Sequence, residues 1–129
     1  MSESRWKESK ENIEHILDLV KHAKDDQIFL ADYHKNLSFM KKHVLTDDRW
    51  RKFLRTLTYD EYDESMKNIH NSPTVLHVFF ITRMFSNVVM KRAETLKIYV
   101  KVGVDDKDNV IVVSFHEPDF PDDRRFEQK

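Results

Sequence analysis

The chain predicts an α+β domain, with N-terminal helices packed on one face of a C-terminal antiparallel β-sheet. Three observations predict it. Up to about residue 71 apolar side chains recur at three- and four-residue intervals, the spacing of a helix face. Beyond Pro73 they alternate with polar ones or run together in β-branched and aromatic stretches, the habit of strands. Within the second region, Lys97 to Val102 and Val110 to His116 flank the polar segment Asp105–Asn109 and read as one hairpin.

Taken in order, Ile13, Ile16, Leu17 and Val20 predict an amphipathic first helix from about Ser4 to Asp25. Gln27–Tyr33 reads as a short strand, and Leu37, Met40 and Val44 mark one face of a second helix. A third helix starts at Thr46, where a hydroxyl caps and Asp47 and Asp48 favour the positive end of the dipole; it turns Trp50, Phe53 and Leu54 inward. Thr58-Tyr-Asp-Glu61 is a capping box with Leu57 and Tyr62 at staple spacing, which predicts a fourth helix ending near His70 or Asn71, before Ser72-Pro73 turns the chain. Val75–Ile81 and Asn87–Arg92 follow as strands, then the hairpin. Gly103, the one glycine, sits late in a strand and predicts a bulge. Residues 1–116 form a single domain, and 117–129 read as a mobile tail.

Composition narrows the class. The 129 residues hold no cysteine, which removes disulfides, thiolate nucleophiles and cysteine-ligated zinc. No apolar run approaches the roughly twenty residues of a membrane span, and the charged N-terminus lacks a signal-type apolar stretch. A cytoplasmic protein with no membrane partner is expected. Net charge is −1, against binding of nucleic acid by bulk electrostatics. The charge is uneven, however: Arg83, Lys91, Arg92, Lys97 and Lys101 face only Glu94 between residues 83 and 101, an excess of four, whereas 105–123 carries seven acids and one lysine. A basic sheet face beside an acidic turn and tail follows, and Lys101, Lys91, Arg83 and Lys97 are candidate RNA-binding residues.

Tyr99 and Lys101 alternate with apolar neighbours on one hairpin strand and His116 ends the other, so a phenol, a cation and an imidazole can stand together on rigid elements. His77, amid large apolar residues, reads as a buried structural histidine, and Tyr62, Phe79 and Phe80 as core. His116-Glu117-Pro-Asp119 lacks the fixed spacing of a metal motif, and His15, His22, His34 and His43 match no ligand pattern; no metal or other cofactor is expected.

Leu57-Thr58, Tyr62-Asp-Glu-Ser-Met66, Tyr99-Val-Lys-Val102 and Val110-Ile-Val-Val-Ser-Phe-His-Glu117 together resemble the MqsR family of toxin–antitoxin mRNA interferases. The resemblance implies a RelE-like fold, metal-free cleavage of single-stranded mRNA, and neutralisation by a cognate antitoxin. The departures fall where the chemistry would be: the family lysines are Glu64 and His116 here, Tyr99 is kept, and the glutamine's place falls on His77 or Ser86, the latter placing Arg92 on a family arginine. Related RelE-like toxins use a glutamate, an arginine and a C-terminal histidine. By that resemblance Glu64 is the general base, His116 the general acid, Arg92 or Lys101 holds the phosphate and Tyr99 orients or stacks a base. The alternative is an inactive RelE-like interaction module that keeps the fold and the antitoxin surface.

Overall fold

The computed structural model describes residues 5–68, 75–87 and 90–119. Among these residues, three helices and six strands form an α+β domain. The strands are β1 (Arg5–Trp6), β2 (Ile28–Leu30), β3 (Tyr62–Lys67), β4 (Val75–Asn87), β5 (Arg92–Val104) and β6 (Val110–His116), and the helices α1 (Lys10–His22), α2 (His34–Lys42) and α3 (Asp47–Leu54). The sheet order is β1-β3-β4-β5-β6-β2, antiparallel except where β2 runs parallel to β6.

The first helix is shorter than its periodicity suggests. Ser9 takes the cap position and its hydroxyl accepts the Asn12 N–H, while Arg5 and Trp6 pair with Met66 and Ser65 as an edge strand. In α2 the buried face is Asn36, Phe39 and Met40; of the expected Leu37, Met40 and Val44 only Met40 is buried. Leu37 stands half exposed on the helix side away from Asn36, Phe39 and Met40, and Val44 half exposed past the helix end at Lys42, where it takes a left-handed backbone (φ 50°). The third helix starts after Thr46 as expected, burying Trp50 and Leu54 with Phe53 packed against the core, but the Thr46 hydroxyl makes no capping hydrogen bond; the first turn is marked instead by Asp47, whose carboxylate accepts the Trp50 indole N–H at 3.1 Å.

The expected fourth helix is not there. The capping signal survives in one 3-10 turn, Tyr59–Glu61, where the Glu61 carboxylate accepts the Thr58 N–H at 3.0 Å. The chain then extends as β3, because the partners of its side chains lie on β4: Tyr62 packs edge-on against Phe79 (5.6 Å between ring centres), and Ser65 hydrogen-bonds His77 at 2.7 Å. Tertiary pairing overrides the local signal. The expected helix end and turn at 70–73 lie outside the described residues.

The long β4–β5 hairpin also corrects the expected strand at 87–92. Asn87 ends β4, Arg92 opens β5, and the two pair across the reversal, with Lys91 left-handed at φ 57°; Val88 and Val89 lie outside the described residues. The β5–β6 pairing is as predicted, with Asp105 accepting the Lys107 and Asn109 amides at 2.9 Å each to close the turn. The predicted bulge is displaced. Lys101 pairs with Ser114 but Val102 with Val112, so the extra residue is Val113 on β6, and Gly103 pairs regularly with Ile111.

Alternation divides the sheet into two faces. Phe79, Ile81 and Phe85 of β4, Ile98, Val100 and Val102 of β5 and Phe115 of β6 join Ile13, Val20, Phe39, Trp50 and Leu54 of the helices in one core. Each such large side chain contributes roughly 1.5–3 kcal/mol of burial. The opposite face carries Glu64, Val78, Phe80, Tyr99, Lys101, Ser114 and His116, and Thr82, Met84, Thr95 and Lys97 are exposed on it. Beyond His116, Pro118 is buried and Asp119 pairs with Lys35 of α2; the rest of the expected tail, from residue 120, lies outside the described residues.

Candidate functional site

The open sheet face assembles a row of rings. Phe80 of β4 pairs with Tyr99 of β5, which pairs with His116 of β6. Register partners on adjacent strands place their side chains side by side on one face. Here the ring centres are 5.4 Å apart for Phe80 and Tyr99 and 6.0 Å for Tyr99 and His116. Two residues along β5, the Lys101 ammonium stands 5.6 Å from the centre of the Tyr99 ring, within cation–π range. Phe80 belongs to this face and not to the core, whereas Tyr62 and Phe79 are core as expected.

His116 is oriented by its neighbour. Its Nδ1 lies 2.7 Å from the Glu117 carbonyl, an acceptor only, so Nδ1 carries the proton and Nε2 of the neutral ring keeps its lone pair. The position of β6 is set by α2. The backbone ladder between β2 and β6 ends with the Ala31 N–H donating to the Val112 carbonyl at 2.9 Å, and the Asn36 side chain continues it. Its amide donates to the carbonyls of Ala31 (2.9 Å) and Val113 (3.0 Å), and its oxygen accepts the Phe115 N–H (2.9 Å).

Between α2 and the end of β6 lies a cleft of about 260 Å³ lined by His34, Lys35, Ser38, Phe39, Lys42, His116 and Glu117. The residues from α2 share one helix face at i, i+1, i+4, i+5 and i+8. Sequence reading missed this stripe, because nothing in α2 alone indicates that β6 ends against it.

The other expected site residues are scattered. Glu64 is on the open face, but on β3, three strands from β6, about 14 Å across the sheet. Its carboxylate pairs with Arg5 on β1, farther still from His116. Arg92 and Arg83 project from the helix-covered face by alternation, and Arg92 is seven residues from Tyr99, about 23 Å along the strand. Arg92 lies 3.6 Å from Glu94, and Arg83 binds Glu61 at 2.6 Å and the Thr56 carbonyl at 3.1 Å. Lys91 sits at the hairpin reversal. Lys97, two residues before Tyr99, shares its face.

On the helix side a second polar constellation is internal. Tyr62 hydroxyl, Ser65 hydroxyl and His77 Nδ1 form a chain with 2.7 Å links, and the Glu8 N–H donates to Tyr62 at 2.9 Å. Burial pushes the Tyr62 phenol up and holds His77 below the usual imidazole range, with the Glu8 carboxylate partly offsetting the latter. His77 is thus a buried histidine hydrogen-bonded through Nδ1, as its apolar neighbours predict. Among the described residues no group of three or more histidines and carboxylates could hold a metal ion, and no helix is long and apolar enough to cross a membrane.

No protein-family model matches the chain, and neither curated proteins nor solved structures give a significant match.

Proposed function

We propose that this chain is a RelE-like, metal-independent endoribonuclease, the toxin of a toxin–antitoxin pair, which cuts single-stranded RNA laid across the open sheet face. The observation that supports it is the row Phe80, Tyr99 and His116 with Lys101 over the tyrosine. Aromatic rings on an exposed sheet stack unpaired bases, and lysines beside them meet the phosphates. Phe80 and Tyr99 are the stacking platform, Lys101 and Lys97 the phosphate contacts. His116 is the acid that protonates the departing 5′-oxygen.

Two residues assigned by the family resemblance fall outside this reading. Acid and base must each reach an oxygen on the same phosphorus. Glu64 is drawn by Arg5 away from β6, and Arg92 stands at the far end of the hairpin. Lys101 therefore takes the phosphate role.

An RNA oligonucleotide should be cut in EDTA to a 2′,3′-cyclic phosphate, a 2′-methoxy group at the scissile position should block cleavage, and His116→Ala should slow it on the order of a hundredfold. Expression alone should arrest growth, and co-expression of the neighbouring antitoxin should relieve the arrest. Intact RNA together with harmless expression would leave the inactive interaction module as the better description.

A further inference from the structure

We infer that the cleft between α2 and the end of β6 is the scissile-phosphate site, and that His34 is the general base working with His116. This rests on the nuclease reading and supplies the proton acceptor that Glu64 is too distant to provide.

The cleft brings two imidazoles from separate elements to one cavity, with Lys35 and Lys42 on the same helix stripe. Its floor is apolar: Phe39 packs against Phe115, ring centres 6.0 Å apart. Its volume, about 260 Å³, lies just under the range of roughly 300–1,000 Å³ usual for small-ligand sites, so it suits a phosphate and its sugar and leaves the bases outside. His116 both lines the cleft and ends the ring row, so a strand whose bases stack on Tyr99 and Phe80 has its next phosphate at the cleft mouth.

His34 is placed to act. Its Nε2 is 3.3 Å from the Ser38 hydroxyl one helical turn on, a contact that orients the ring along the cleft wall. The charges around the pair are Lys35, Lys42 and Glu117 in the lining, Asp119 on Lys35, and Glu94, which feels Lys42 electrostatically.

In the step itself, neutral His34 takes the proton of the ribose 2′-hydroxyl as that oxygen bonds to phosphorus. The bond from phosphorus to the 5′-oxygen breaks, and protonated His116 gives its proton to the leaving oxygen. The products are a 2′,3′-cyclic phosphate and a 5′-hydroxyl. Lys35 and Lys42 stabilise the dianionic phosphorane. Solvent exchange then resets both imidazoles.

The test uses the whole chain, an ordinary RNA, and the same RNA with sulfur replacing the scissile 5′-oxygen, a leaving group that needs no proton. His34→Ala and His116→Ala should each slow the ordinary substrate on the order of a hundredfold. On the sulfur substrate His116→Ala should recover to within a few-fold of the unaltered protein, and His34→Ala should stay slow. Full activity of His34→Ala on ordinary RNA, or its recovery on the sulfur substrate, overturns the assignment while leaving the nuclease reading intact. A separate readout needs no turnover: inorganic phosphate titrated into isotopically labelled protein should shift the imidazole resonances of His34 and His116 together. Phosphate shifts without RNA cleavage would uphold the anion site and fell the nuclease. Absence of shifts at both histidines would overturn the cleft as a phosphate site.

Discussion

Asn36→Ala should cost more stability than any other single polar truncation along the edge of β6. The side chain is fully buried and makes three hydrogen bonds to backbone groups, two on β6 at Val113 and Phe115 and one to the Ala31 carbonyl just past β2. Alanine leaves the Phe115 N–H and the carbonyls of Val113 and Ala31 without their partner. Each orphaned buried group costs about 1–3 kcal/mol, and water entering the gap recovers part of it, so the net loss is about 3 kcal/mol. Against a total stability of about 5–15 kcal/mol this is large. With a urea slope of about 2 kcal/mol/M the unfolding midpoint falls by about 1.5 M, and at about 4 °C per kcal/mol the thermal midpoint falls by about 12 °C. Urea and thermal unfolding followed by circular dichroism measure both. Asn36→Asp is the control: it keeps an acceptor for Phe115 but sets a carboxylate against two carbonyls, and should be at least as damaging. A loss below about 1 kcal/mol for Asn36→Ala would refute the view that this side chain completes the ladder.

Two further outcomes follow from the core. Because burial lowers the His77 pKa, the unfolded chain binds a proton below about pH 6.5 that the native state refuses; stability should fall as pH drops through that window and level off below the folded value, and His77→Gln should flatten this slope in urea titrations at stepped pH. Leu54→Ala, at a fully buried position of α3, should cost about 2–5 kcal/mol in the same unfolding assay, and an unchanged midpoint would mean that α3 does not hold the core together.

The sequence shows the fold wherever a segment's periodicity agrees with its tertiary partners. The β5–β6 hairpin is legible because alternation, β-branched content and an aspartate turn all point one way, and α3 because an acidic first turn and an apolar face coincide. Segment 58–67 is misread because its strongest local signal, the capping box, is satisfied in a single turn, while the reasons for extension lie elsewhere. Tyr62 needs Phe79 and Ser65 needs His77, and neither partner is visible from the segment alone. The α2 face is misread for a similar reason. Periodicity favours Leu37 and Val44, but Asn36 faces inward because β6 has an unpaired edge to satisfy.

The candidate site divides along the same line. Tyr99, Lys101 and His116 are legible together because strand alternation and one hairpin register decide their proximity. Glu64 and Arg92 are not, since they depend on strand order and on how far the β4–β5 hairpin runs past its neighbours. Five lysines and arginines between residues 83 and 101 look like one basic patch in the linear sequence. The pleat sends Lys97 and Lys101 to the open face and Arg83 and Arg92 to the other, where Glu61 and Glu94 meet them. A run of charge along a strand is therefore halved before it can serve any single surface. The cationic groups of α2 are nearer to His116 than most of that run, although more than seventy residues separate them in sequence. The proposed chemistry therefore depends on the packing of α2 against β6, and Asn36, whose side chain bonds the backbone of β6 at Val113 and Phe115, couples folding stability to the relative placement of His34 and His116.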